Sequence, residues 1–186
     1  MPPAMEIYPR HVTLVLGGAR SGKSHYAQAL ASGYRRVTFL ATARRSDAEM
    51  RERIARHRRE RPASWKTVEV PLDLHKTIAS ESLKADLLLV DCLTLFVANA
   101  MRRNRKKSSA RVVTEQVCEA IRVSKASVIV VSNEVGSGIV PAYRSGRIYQ
   151  DLLGQMNQQI AKIADTVILM IAGIPVMVKG QHEESR

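Results

Sequence analysis

Residues 17–24 read Gly17-Gly18-Ala19-Arg20-Ser21-Gly22-Lys23-Ser24, which fits G-x-x-x-x-G-K-[ST], and the apolar run Val12-Thr13-Leu14-Val15-Leu16 stands immediately before them. A buried strand that runs into a glycine turn and then a helix is the arrangement that cradles nucleotide phosphates. Glycines at 17, 18 and 22 let the backbone curl until its N–H groups point inward, and the helix opening near Lys23 adds its positive dipole end. In that arrangement Lys23 reaches the β and γ phosphates and the Ser24 hydroxyl holds Mg²⁺. A glycine turn that binds nothing is the plain alternative, and the complete motif in this setting favours nucleoside triphosphate binding.

Two further residues could do chemistry with a triphosphate. Asp91 closes the run Ala85-Asp86-Leu87-Leu88-Leu89-Val90. An acid there fits a carboxylate that orders Mg²⁺ or its waters, and it fits equally a helix N-cap for the segment that starts at Leu93. His57 lies three residues after Ile54 and seven after Met50, on the apolar stripe of a helix, which suits a packed histidine satisfied by one hydrogen bond. Arg56, Arg58, Arg59 and Arg61 surround it, however, and such a cluster makes more sense beside anionic phosphates. A neutral imidazole beside a triphosphate can attack the α phosphorus and carry a nucleotidyl group, with arginines stabilising the charge on the equatorial oxygens.

These residues need elements to place them. After the first strand the spacing predicts a helix over 22–32, a short strand Arg36-Val37-Thr38-Phe39-Leu40-Ala41, and a helix to about 59 that Pro62 stops, with Ser46 and Glu49 as a capping box. A strand over 65–70, a helix over 72–82 and the buried strand ending at Asp91 follow. Helices over 93–103 and 112–124, the apolar strand 127–132, a glycine-containing loop 133–141 and a long helix over 143–164 come next. Residues 166–171 and 176–179 look like a hairpin turning through Ala172-Gly173-Ile174-Pro175. Strands alternating with helices predict an α/β fold: a P-loop NTPase-like doubly wound, mostly parallel sheet with one antiparallel C-terminal strand. In such sheets ligands sit at the carboxyl ends of strands, which directs attention to Ala41-Thr42-Ala43, Asp91 and Asn133-Glu134 beside the glycine loop.

At 186 residues and 45% hydrophobic, the chain predicts one catalytic domain, with 1–10 as a flexible extension. The absence of a long apolar run or signal-like segment predicts a soluble, cytoplasmic protein without membrane insertion. Cys92 and Cys118 show neither metal spacing nor a disulfide framework and read as buried free thiols. Most of the net charge of +12 falls in two stretches, 44–61 with eight arginines against four acids and 102–111 with six bases and no acid. The second has no aromatic residues to stack on bases and reads as a solvated loop or frayed helix end rather than a nucleic-acid surface. A regulatory NTPase that binds RNA or DNA is therefore disfavoured. Another small-molecule kinase, with His57 structural, is the nearer alternative.

The glycine loop, then Ala41-Thr42-Ala43, then Arg53-Ile54-Ala55-Arg56-His57 leading into Arg61-Pro62-Ala63-Ser64-Trp65, and Asn133-Glu134-Val135-Gly136-Ser137-Gly138-Ile139-Val140-Pro141 together resemble the adenosylcobinamide kinase/adenosylcobinamide-phosphate guanylyltransferase family. The resemblance runs from about 12 to 179, and its R-I-x-x-H-x-x-x-R-P-x-x-W and N-E-V-G-x-G-I-V-P strings are far more specific than the phosphate loop alone. It implies a bifunctional enzyme with Mg²⁺: ATP or GTP phosphorylates adenosylcobinamide, and GTP then gives GMP to that phosphate through a covalent adduct on His57. By the same resemblance GTP contacts fall on 17–24, Ala41, Thr42, Ala43, Arg58, Arg59, Glu60, Arg61, Glu69 and Asp91, and the protein is a homotrimer. A carboxylate at Glu69 could accept from guanine N1 and N2, or could be a strand-end acid facing solvent. Many members of the family carry Glu where this chain has Asp91.

Overall fold

The structure, a computed structural model, describes residues 9–44, 48–59, 61–103 and 107–180. In chain order the elements are β1 (Val12–Gly17), α1 (Lys23–Ala31), β2 (Val37–Ala41), α2 (Ala48–Arg59), β3 (Lys66–Glu69), α3 (Leu74–Glu81), β4 (Leu87–Asp91), α4 (Leu93–Arg103), α5 (Lys107–Arg122), β5 (Ser127–Val131), α6 (Arg144–Ile163), β6 (Thr166–Ile171) and β7 (Ile174–Lys179). They build one seven-stranded sheet in the order β3-β2-β4-β5-β1-β6-β7. Every pairing is parallel except β6 with β7, as the alternation of strands and helices predicts.

Strands buried on both faces read as unbroken apolar runs because alternate side chains enter different cores. Leu88, Val90, Val128 and Val130 point to one side, where they meet Leu74 and Ile78 of α3, Phe96 and Val97 of α4, Val117 and Ile121 of α5, and Leu152, Met156 and Ile160 of α6. Leu87, Leu89, Ile129 and Val131 point to the other side, where α1 contributes the small Ala27 and Ala31, with Tyr26 partly buried beside them. Helices thus cover the two faces unequally. The thinly covered face, over β2, β3 and β4, is where the cleft opens.

The structure departs from the sequence expectation at several places. Helix α5 begins at Lys107, five residues before the expected 112, because Ala110 is fully buried and draws the basic segment into the helix. Residues 104–106 lie outside the described residues, as does the expected N-cap Ser46. Strand β7 begins at Ile174: Ala172 and Gly173, with φ of 49° and 85°, are the two central residues of the hairpin turn. Pro175 is then part of the edge strand opposite Met170, where its missing N–H is tolerated. Arg10, expected in a flexible extension, instead closes the end of α5 by donating from Nε to the Ser124 carbonyl at 2.7 Å and from the guanidinium to those of Ile121 and Arg122 at 2.9 and 2.8 Å. Residues 1–8 lie outside the described residues.

Candidate active site

The glycine loop joins β1 to α1 as expected. Gly17 has φ of 151°, and a Cβ there would lie 2.6 Å from the Met170 carbonyl oxygen and from Ser21 Oγ, so no larger residue fits. Gly22, at φ 90°, caps α1 without any side-chain hydrogen bond to the first turn, which leaves the helix dipole directed at the loop. Lys23 is 7% exposed, and its Nζ donates to the Gly18 carbonyl and to Ser21 Oγ at 3.4 Å. The loop is also tied to the β6–β7 turn, where Gly173 N–H donates to the Ser21 carbonyl at 3.1 Å.

Beside this loop, a cleft enclosing about 720 Å³ with its open mouth is lined by Ser24, Phe39, Ala41, Ala43, Ile54, His57, Arg58, Arg61, Thr67, Glu69, Asp91, Cys92 and Leu95. Strand register explains its floor. Ala41 stands opposite Glu69 on one side and Asp91 on the other, and Phe39 stands opposite Thr67, so these residues share one face in two rows. With only a methyl group at the centre of the outer row, the two carboxylates flank an open floor. The Arg61 guanidinium lies over the Phe39 ring, 3.5 Å from its centroid, which fixes a cation at the cleft wall.

Charges converge on Asp91. Burial raises its carboxyl above the ordinary range, and the hydrogen bond from Ser24 together with the nearby His57, Arg61 and Lys23 pulls it back part of the way. The Cys92 thiol is pushed up to about 11 by burial and by Asp91, so it stays protonated at neutral pH. The Asp91–Cys92 peptide is cis. Thr42 ties these strand ends together: its Oγ1 donates to the Cys92 carbonyl at 2.6 Å and accepts from Cys92 N–H at 2.8 Å. Asn99 Nδ2 donates to the Thr42 carbonyl at 2.9 Å and to that of Pro71 at 3.2 Å.

Of the residues picked from sequence, Ser24, Ala41, Ala43, His57, Arg58, Arg61, Glu69 and Asp91 come together in the cleft, and Gly17 to Ser24 form the adjoining loop. Thr42 is fully buried behind the wall with its hydroxyl engaged, so it positions the site without lining it. Arg59 is exposed and off the cleft, Arg20 and Ala19 are exposed on the loop, and Glu60 lies outside the described residues. His57 is half-buried on the wall beside Ile54 rather than packed into a core. Cys92, expected to be a buried thiol, is on the wall, whereas Cys118 is buried. Phe39 and Thr67 were missed. Each stands two residues before a residue that was picked, Ala41 or Glu69, and a strand's period of two puts them on the same face.

A sequence model of the family described as cobinamide kinase / cobinamide phosphate guanyltransferase matches residues 13–178. The chain belongs to this family. The bifunctional adenosylcobalamin biosynthesis protein CobP of Pseudomonas aeruginosa is 42% identical over 172 residues, which cover 90% of this chain and 97% of that protein. The protein CobU of Salmonella typhimurium, which carries the same bifunctional description, is 36% identical over 178 residues, covering 89% and 98%. Among solved structures, the KaiC-like protein PH0186 of Pyrococcus horikoshii OT3 superposes with a TM-score of 0.53 at 15% identity, over 94% of this chain and 82% of that one, a likeness of fold. As a member of its family, this cobinamide kinase/guanyltransferase is a bifunctional enzyme of adenosylcobalamin biosynthesis. No helix among its described residues is long and apolar enough to cross a membrane.

Proposed function

We propose that the two activities share the cleft and the glycine loop, and that His57 carries GMP between them. The acceptor hydroxyl of adenosylcobinamide attacks the γ phosphorus of ATP or GTP, its O–P bond forms as the bond to the departing nucleoside diphosphate breaks, and the hydroxyl proton leaves for solvent. In the second activity the His57 imidazole attacks the α phosphorus of GTP and pyrophosphate leaves with the bonding pair. A phosphate oxygen of the phosphorylated acceptor then displaces the imidazole, which yields adenosylcobinamide-GDP. The observation that carries this reading is the meeting of His57, Arg58 and Arg61 with Ser24 and Asp91 around one cleft. Lys23 and the loop N–H groups hold the phosphates, and the arginines balance charge on the α phosphate as it is transferred.

Ser24 and Asp91 fit Mg²⁺. Both are hard oxygen donors, already hydrogen-bonded to each other, and Mg²⁺ characteristically takes one or two protein oxygens and fills its shell with water and substrate phosphate. The raised carboxyl of Asp91 is also the kind of acid that a divalent cation returns to its ionised form. When bound, the ion would supply positive charge against the phosphates. Glu69 reads guanine in this proposal. The working form is a cytoplasmic homotrimer whose subunits meet near the sites, with no nucleic acid among its partners.

The test is incubation with α-labelled GTP alone. A protein-linked GMP that is labile in acid, stable in base, maps to His57 and vanishes in His57→Asn is the expected result, with phosphorylation of the acceptor surviving in that variant. A label that persists in His57→Asn, or maps to His25 or His75, overturns the assignment. No label in the wild type would leave a kinase with a structural histidine.

A further inference from the structure

The segment from Asn133 to Pro141, part of the loop that joins β5 to α6, lines none of the cleft, although β5 lies between β4, which ends at Asp91, and β1, which ends at Gly17. Its root is held firmly. Asn133 N–H donates to Thr94 Oγ1 at 2.9 Å, the Asn133 carbonyl accepts from Asn157 Nδ2 at 3.0 Å, and Glu134 N–H donates to the Gly17 carbonyl at 3.1 Å. Further along, Gln150 Nε2 donates to the Val135 carbonyl at 2.8 Å, and Arg147 holds the carbonyls of Pro141 and Ala142 at 3.0 and 2.7 Å. Yet Ile139, Val140 and Tyr143 are 97%, 69% and 81% exposed. A backbone pinned at both ends that turns its large apolar side chains to water is the mark of a contact surface.

The nucleotide has the cleft, so the second substrate must approach the phosphates from another side. This loop hangs from the phosphate loop itself through the bond from Glu134 to Gly17. A corrinoid is a broad macrocycle with methyl-bearing faces and an amide rim, and an apolar ledge of a few side chains matches such a face. Tyr143 buries at most about 250 Å² and the smaller Ile139 and Val140 less than that each, so the three together stay below the ~800 Å² per partner that a stable protein interface requires. We propose that Ile139, Val140 and Tyr143 form the seat for the corrinoid acceptor, holding its macrocycle beside the phosphate loop in both half-reactions. The inference rests on the shared-site reading above.

The experiment compares the wild-type full chain with the double variant Ile139→Ser/Val140→Ser and with Tyr143→Ala, measuring each half-reaction with adenosylcobinamide or its phosphate as varied substrate. The corrinoid KM should rise tenfold or more in both, with kcat within about threefold, and Tyr143→Phe should restore it. Labelling of the protein by GTP alone needs no corrinoid. It reports the nucleotide half separately, so a wild type that forms no adduct breaks the histidine assignment while the kinase KM still decides the seat. An unchanged corrinoid KM overturns the proposal. So does a rise accompanied by dissociation of the assembly in sedimentation, which would make the loop a contact between copies of the chain.

Discussion

Asp86 and Asp91 stand at the two ends of one strand, β4, and the fold treats them in opposite ways. At the amino end, Asp86 accepts from Arg36 three times: its Oδ2 from the backbone N–H at 3.0 Å, and its Oδ1 from Nε at 3.0 Å and from the terminal guanidinium nitrogen at 2.6 Å. That pairing holds its carboxyl below the usual range. Groups at the same end of the neighbouring strands are also matched, with Asp165 accepting from Val12 N–H at 2.7 Å and His11 bonded to Thr166 at 2.9 Å. At the carboxyl end, Asp91 is driven the other way by burial, against the nearby Lys23, Arg61 and His57. One end uses its charges to close the sheet. The other holds them in a half-buried cleft at a cost to the fold, which is the expected signature of a site.

The contrast breaks first, and most visibly, at Lys23. Lys23→Ala should lower the phosphoryl and guanylyl transfer rates, assayed separately, by roughly a hundred- to a thousandfold. A near-wild-type rate in either would place that step outside the loop.

Asp91→Asn should show both sides of the contrast in one protein. Because the folded-state pKa lies above the unfolded one, Asp91 favours the fold only at low pH, and that contribution is lost as pH rises through the folded value. The variant should therefore melt higher than wild type at pH 8, lose that advantage as pH falls towards 4, and phosphorylate acceptor roughly a hundredfold more slowly. A midpoint at pH 8 equal to the wild type's would mean that the neighbouring cations already offset the buried charge.

Glu69→Gln separates recognition from catalysis on the same floor. GTP binding should weaken by about 1–3 kcal/mol with ATP binding little changed. Equal weakening of both would place Glu69 against a part common to the two nucleotides.

The smallest effect is expected at the amino end. Asp86→Asn should lower the melting midpoint by a few degrees at pH 7 and leave both rates unchanged. The lowered folded pKa makes this stabilisation present above the unfolded value and lost as pH falls through the folded one, so the difference from wild type should fade in acid. A change in rate would couple this edge to the cleft.

Strand β4 and strand β5 were legible because burial on both faces leaves an unbroken apolar run, and the glycine loop because backbone geometry there admits few residues. The start of α5 was not: six bases read as solvated, while the one residue that decides the matter, Ala110, is too small to stand out in a charged stretch. Pro175 likewise reads as a turn residue until the sheet order places β7 at the edge. In the site, Asp91 and Glu69 could be found as strand-end acids, but their common floor depends on which strands are neighbours. That order comes from tertiary packing. Thr42 illustrates the limit from the other side, since a residue adjacent to the site in sequence faces away from it in space.

The row Glu69, Ala41, Asp91 makes the backbone ladder a measuring device. Three hydrogen-bonded strands set the two carboxylate-bearing positions two strand spacings apart, about 10 Å, and no side-chain rotation can alter that separation by much. A nucleotide read at Glu69 meets the Ser24–Asp91 pair only if the span from its base to its phosphates matches the sheet. If Glu69 reads the base as proposed, length is selected by the same hydrogen bonds that hold the fold together, and changing it would require a different order of strands.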